Sequence, residues 1–172
     1  MPRAIDDPLI TTFGRLLEAF SGMERRLART LEAEADLPLT WFEVLLRVAR
    51  SPEERLMMSE LSSQLALTTG GVTRLVDRIV EAGYLERMPA AHDRRVIWAV
   101  VTPQGHDVVE QAAAIHAAEL HEIFGGFSAA DLARLDKLLD RLRTESRPRP
   151  QRGSASQGRR TPAAQPPGGT TR

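Results

Sequence analysis

The chain of 172 residues contains no cysteine. Disulfide frameworks, Cys-ligated zinc, Cys nucleophiles and thiol redox sensing are therefore all excluded, and only His and carboxylates remain as metal ligands. Long apolar runs are missing too. The longest, VIWAVV from Val96 to Val101, is far short of the roughly 20 residues that span a bilayer. The opening MPRAIDDPL has no apolar core and carries two acids, unlike a secretory signal, so a cytoplasmic protein with no membrane partner is expected. Net charge is also absent, with 23 basic against 23 acidic residues. That balance hides an asymmetry: the last 27 residues, from Ser146, hold six Arg and no acid, which leaves 17 basic against 23 acidic residues and a charge of −6 in the body. Non-specific affinity for nucleic acid comes from neutralising phosphates, so any DNA-binding role must rest on local placement of basic residues.

Signatures of catalysis are equally scarce. There is no G-x-S-x-G, P-loop or dinucleotide fingerprint, and HEIFG at His121 lacks the second His of H-E-x-x-H. No catalytic residue and no cofactor is predicted. His106 with Glu110, and His116 with Glu119, have spacings that put both side chains on one helix face. They are read as solvated surface pairs rather than a metal site.

What the chain does have is helical periodicity. Asp7 is a good N-cap with Pro8 at the first helical position, and Leu9, Phe13, Leu16, Phe20, Met23 and Leu27 recur at intervals of four and three. That is a narrow seam, which wants a partner helix. Thr40 is the expected cap of WFEVLLRVAR, which Pro52 stops. Ser59 and Thr68 then cap two helices in close succession, a helix-turn-helix. The second of these ends at Gly83, expected just past the helix end, where left-handed backbone favours glycine. YLER and RVIWAVVT read as strands around the turn-like MPAAHDR. Thr102 with Pro103 opens another helix, which runs to Gly125-Gly126, and Ser128 with Asp131 opens the last. From Ser146 the Pro, Gly, Ser, Gln and Arg composition cannot bury enough surface to order itself.

The stretch TTGGVTRLVDRIVEAGYLER, from Thr68, has two unlike faces. Val72, Leu75, Val76, Ile79 and Val80 face a core. Thr68, Thr69, Gly70 and Gly71 would let the helix start approach a duplex closely, and Thr73, Arg74 and Arg78 would reach base edges or backbone from a major groove. Any surface helix has a polar outer face, so this pattern alone leaves a structural reading open. The hairpin adds weight: Asp93, Arg94 and Arg95 sit at the tip of a ribbon, from which a guanidinium can enter the neighbouring minor groove. Asp93 is expected to hold the Arg95 fork by a bidentate pair.

The ordered segments LTWFEVLLRV, MSELSSQLALTTGGVTRLVDRIVEAGYLER and DRRVIWAVVTPQG, between a long first helix and two closing helices, resemble the MarR family of bacterial winged helix-turn-helix regulators. The resemblance covers about Asp7 to Glu145. Val101 stands where the family's D-x-R…L-T-x-x-G pattern usually has Leu. It implies a mainly α fold with a small β-hairpin wing, a winged helix-turn-helix domain and a helical dimerisation region. The implied division is an N-terminal dimerisation helix over 7–35, a DNA-binding lobe over 40–102 and C-terminal dimerisation helices over 103–145; the disordered tail over 146–172, read from composition, lies outside the resemblance. It further implies a homodimer through Leu9, Phe13, Leu16, Phe20, Leu27, Leu135, Leu139 and Leu142, set on a palindromic operator in double-stranded DNA. In this pattern Asp93 would orient Arg95 toward the minor groove, while the role of Arg94 stays open.

Many members of that family are repressors released when a small, often anionic, aromatic effector enters the cleft between the dimer helices and the DNA-binding lobe. By that resemblance Phe13, Phe20, Trp41, Phe42 and His116 are the candidate ligand-binding residues, against ordinary core packing as the alternative. The other function class that fits the residues is a helical protein-interaction adaptor that does not bind DNA.

Overall fold

A computed structural model of the chain describes residues 3–65, 69–93 and 95–146. Two compact units divide at Gly126 and Phe127. The first opens with helix α1 (Pro8–Ala35), where the Asp7 carboxylate accepts the Leu9 N–H at 2.7 Å and Pro8 takes the first turn. Only Leu27 and Leu31 of α1 are buried, whereas Leu9, Phe13 and Phe20 stand 75, 60 and 56% exposed. Helix α2 (Leu39–Ala49) begins one residue before the expected cap. The Pro38 carbonyl accepts from Trp41 and Phe42, so Thr40 lies inside the first turn and caps nothing. Buried Leu37 and extended Pro38 set the chain direction that starts the helix there.

After a tight turn at Ser51, strand β1 (Arg55–Met57) runs directly into α3 (Met58–Gln64). The strand was not legible beforehand, because three residues carry no alternation. Its partner reveals it: β3 (Ile97–Val101) lies between β1 and β2 (Leu85–Pro89), giving an antiparallel three-stranded sheet, order β1-β3-β2, rather than an isolated hairpin. Extended backbone persists through Met57 because Met57 pairs with Trp98. Glu60 then accepts the Met57 N–H at 3.3 Å, so Ser59 falls within the first turn of α3 and is not its cap.

Helix α4 (Thr69–Glu81) turns Val72, Val76 and Ile79 wholly inward against Phe42, Leu45, Val48 and Leu61, with Leu75 and Val80 packed at the edge. The helix ends as predicted at Gly83, whose φ is +82°. The Tyr84 N–H bonds the Ile79 carbonyl and the Gly83 N–H bonds Val80, which satisfies two otherwise orphaned carbonyls. Tyr84 therefore belongs to the helix cap and not to the strand. Arg95 and Val96 likewise lie in the turn before β3, closed by Ala90 N–H to the Val96 carbonyl and Val96 N–H to Asp93.

Helix α5 (Pro103–Phe124) packs on α1 and α2, with Val109 and Ala112 buried. Arg26 and Glu119 pair between α1 and α5. Its start is locked to the end of α4. The Thr102 hydroxyl donates to the Gly83 carbonyl at 2.6 Å and accepts the Gly105 N–H at 3.0 Å, while the Thr102 N–H donates to the Tyr84 carbonyl. A Cβ at Gly105 would collide with the Tyr84 carbonyl and press on Val101. The second unit holds α6 (Ala129–Glu145), opened by a reciprocal Ser128–Asp131 capping box. It has no buried residue, and Leu139 and Leu142 are 45 and 47% exposed. Leu135 is half-buried. Among the described residues no helix is long and apolar enough to cross a membrane.

Gly105→Ala is expected to lower stability by about 1–3 kcal/mol through overpacking, read as a shifted urea midpoint with circular dichroism. A variant as stable as the parent contradicts the close approach to Tyr84.

Candidate nucleic-acid interface

With its apolar row spent on the core, α4 presents Gly70, Arg74 and Arg78 to solvent, with Gly71, Thr73 and Asp77 half-buried beside them. A Cβ at Gly70 would meet nothing within 4 Å, so no packing inside the chain demands glycine there. Thr68 and Arg94 lie outside the described residues, as does residues 147–172 of the expected tail. Thr69 begins the helix.

At the tip between β2 and β3 the expected guanidinium clamp is not what Asp93 makes. Its Oδ1 instead accepts the Arg95 backbone N–H at 2.9 Å. A carboxylate two residues back reaches that N–H naturally, as Asx turns do, so Asp93 fixes the turn and leaves the exposed Arg95 side chain to project. Arg95, Thr73, Ser59 and Arg87 line one depression of about 270 Å³ bounded by α3, α4 and the sheet. The structure thus brings together α4 and the ribbon tip.

Arg87 was missed from sequence. On β2, it pairs with Asp77 at 2.8 Å and donates to the Thr73 carbonyl at 3.3 Å, tying the ribbon to α4. Such a partly exposed pair contributes roughly 0–1 kcal/mol, so its effect is mainly to set the angle between the two elements. The available signal was an acid at Asp77 on an otherwise basic outer face. Arg78, by contrast, has its guanidinium 5.7 Å from the Trp41 ring, and Trp41 meets Tyr84 edge-on at 6.3 Å.

A family model described as MarR family matches residues 35–96, which run from the end of α1 to the ribbon tip. The multiple antibiotic resistance protein MarR of Salmonella typhimurium is 28% identical over 134 residues, covering 77% of this chain and 92% of that protein. The transcriptional repressor MprA of Escherichia coli is 27% identical over 107 residues, 60% of this chain and 61% of its own. Among solved structures, Sco3205 of Streptomyces coelicolor, a MarR family transcriptional regulator in complex with DNA, has a TM-score of 0.76 at 23% identity, covering 86% of this chain and 93% of that one. A mutant MarR from Escherichia coli complexed with operator DNA has a TM-score of 0.69 at 25% identity, covering 82 and 99%.

Over residues 35–96 the chain is similar to the MarR family, and its fold is that of MarR family transcriptional regulators.

The residues expected to line a ligand cleft separate. Phe42 and His116 face a cavity of about 490 Å³ that also touches Arg47, Arg50 and Gln64. Phe20 and His116 face a second, of about 230 Å³, walled by Met23, Leu27, Leu39, Leu120 and Phe124. Glu43 borders both. Trp41, one position from Phe42, points to α4 instead and lines neither cavity; Phe13 lines neither as well. Nor do the spaced His–Glu pairs assemble: His106 faces Glu54 at 3.2 Å, and Glu119 faces Arg26.

His116 stacks obliquely on Phe42, ring centroids 4.8 Å apart, and its Nδ1 is buried without a hydrogen-bond partner. Burial lowers its pKa below the ordinary 6.5, partly opposed by the Glu43 carboxylate. The unfolded chain therefore binds this proton more readily, and stability contributed by the neutral imidazole is lost as pH falls below about 6.5. His116→Gln is expected to have a smaller drop in melting temperature between pH 7 and pH 5 than the parent, by scanning calorimetry. Parallel slopes would contradict the assignment.

Proposed function

We propose that this chain is a MarR family regulator that binds a palindromic operator in double-stranded DNA as a homodimer, represses transcription there and is released by a small aromatic ligand. The observation that carries the reading is the shared outward face of Gly70, Thr73 and Arg74 on α4 and Arg95 on the ribbon tip. A helix of this kind reads base edges in the major groove, while an arginine on a ribbon reads width and potential in the minor groove. The DNA complexes of Sco3205 and of Escherichia coli MarR support it by likeness of fold. Residues 40–102 are the DNA-binding lobe in this reading, and residues 7–35 and 103–145 make the dimer.

Arg95→Ala is expected to weaken binding across a panel of related duplexes with little change in ranking. Losing one wing contact per protomer flattens the salt slope by up to about 1.8. Arg74→Ala should instead change the ranking, since a bidentate contact to guanine is worth roughly 1–3 kcal/mol of discrimination. Asp93→Ala should resemble Arg95→Ala more weakly, through a loosened turn. Mobility shift at several salt concentrations, with folding checked by circular dichroism, makes the comparison. Folded Arg95→Ala that binds like the parent overturns the DNA-reading role of the ribbon.

The dimer rests on the exposed row of Leu9, Phe13, Leu16 and Phe20 along α1 and on the leucines of α6. Apolar surface of that extent on a monomer marks an interaction face. Phe13→Asp should dissociate the dimer at micromolar concentration in sedimentation experiments. A parent chain that sediments as a folded monomer is the contrary result.

A further inference from the structure

Of the two cavities that share His116 and Glu43, the smaller differs in chemistry from what a binder of aromatic acids needs. Its walls are apolar and partly aromatic, with Phe20, Leu27 and Phe124 among them, and the only ionisable side chains on its lining besides His116 are Glu24 and Glu43. No Arg or Lys lines it. Glu24 forms no ion pair or side-chain hydrogen bond among the described residues. Glu43 has only a long contact with Arg47, 3.7 Å; on α1, Arg26 is paired with Glu119, and Arg25 lines a separate depression that Glu24 also borders.

We propose that this cavity between α1, α2 and α5 binds an amphipathic organic cation, one aromatic ring bearing an ammonium group. The inference rests on the ligand-controlled reading above and names the charge of the ligand. An aromatic acid placed here would set its carboxylate against two others with no cation on the cavity lining, whereas an ammonium gains both carboxylates and the faces of the rings. Burial keeps His116 neutral at neutral pH, so it adds no competing positive charge. The volume of about 230 Å³ suits one ring with a short substituent rather than a larger skeleton. The neighbouring cavity carries Arg47 and Arg50 but few apolar walls, and an anion held there would still face Glu43.

The test is calorimetric titration of the full chain with benzyltrimethylammonium and with phenylacetate, which offer the same ring with opposite charge. The cation should bind at least about ten times more tightly. Glu24→Gln and Glu43→Gln should each weaken it by about 5–10-fold, in keeping with a partly desolvated ion contact, without weakening phenylacetate. Two separate substitutions on different helices keep the test open if one fails to fold. Phenylacetate binding as tightly as the cation, cation binding indifferent to both substitutions, or no binding of either probe at millimolar concentration each overturns the proposal. Because no DNA is present, the result is independent of operator binding. A cation that binds as expected but leaves mobility shift unchanged defeats ligand control while sustaining the site.

Discussion

The junction of Gly83, Tyr84, Thr102 and Gly105 governs the geometry of the first unit. Left-handed backbone at Gly83 turns the chain out of α4, and the Thr102 hydroxyl fastens that turn to the first residues of α5. The missing side chain at Gly105 lets the α5 backbone approach the Tyr84 carbonyl. One small cluster therefore holds together the end of α4, the start of both long strands' ladder and the helix that carries His116. Displacing it would move the outward face of α4 relative to the helices on which the chain's cavities are built.

A second coupling acts from the other end of the ribbon. The Arg87 guanidinium touches a carboxylate and a carbonyl four residues apart on α4, which restrains the rotation of β2 against the helix. Asp93 does a related task at the tip, by holding the backbone of Arg95 rather than its side chain. Together they place a long, exposed side chain with little loss of its own freedom. The proposed minor-groove contact gains from this, since a guanidinium already paired would have to break that pair first.

Helix α2 links these devices to the cavities. Its inward residues Phe42, Val44, Leu45 and Val48 form much of the core under α4, while Glu43 and Arg47 border the spaces toward α5. Trp41 reaches the other way, to Tyr84 and Arg78. A helix packed tightly on one side and adjoining open volume on the other can transmit a small displacement, because close-packed interiors shift as units.

Much of the architecture was readable along the chain. The caps at Asp7, Thr102 and Ser128, the stop at Gly83 and the inward row of Val72, Val76 and Ile79 were all legible, because each depends on residues within a turn or two of one another. The elements that escaped depend on distant partners. β1 exists as a strand through its pairing with β3, and this also moved the start of α3 ahead of Ser59. Pro38 overrode Thr40 because the direction of the chain leaving α1 decided where the helix began. At the site, the residue types on α4 and at the ribbon tip were evident, while the Arg87 brace and the backbone role of Asp93 were not. The same limit applies to the cavities: periodicity marked Trp41 and Phe42 alike as apolar helix residues, but a turn of about 100° between neighbours sends one toward α4 and the other toward His116. The sequence by itself determined which segments are helices, where most of them stop and which faces are apolar, since these follow from local backbone and periodicity. Tertiary structure alone decided which polar groups meet, because an ion pair, a strand ladder or a cavity wall is made by residues whose separation along the chain says nothing of their distance in space.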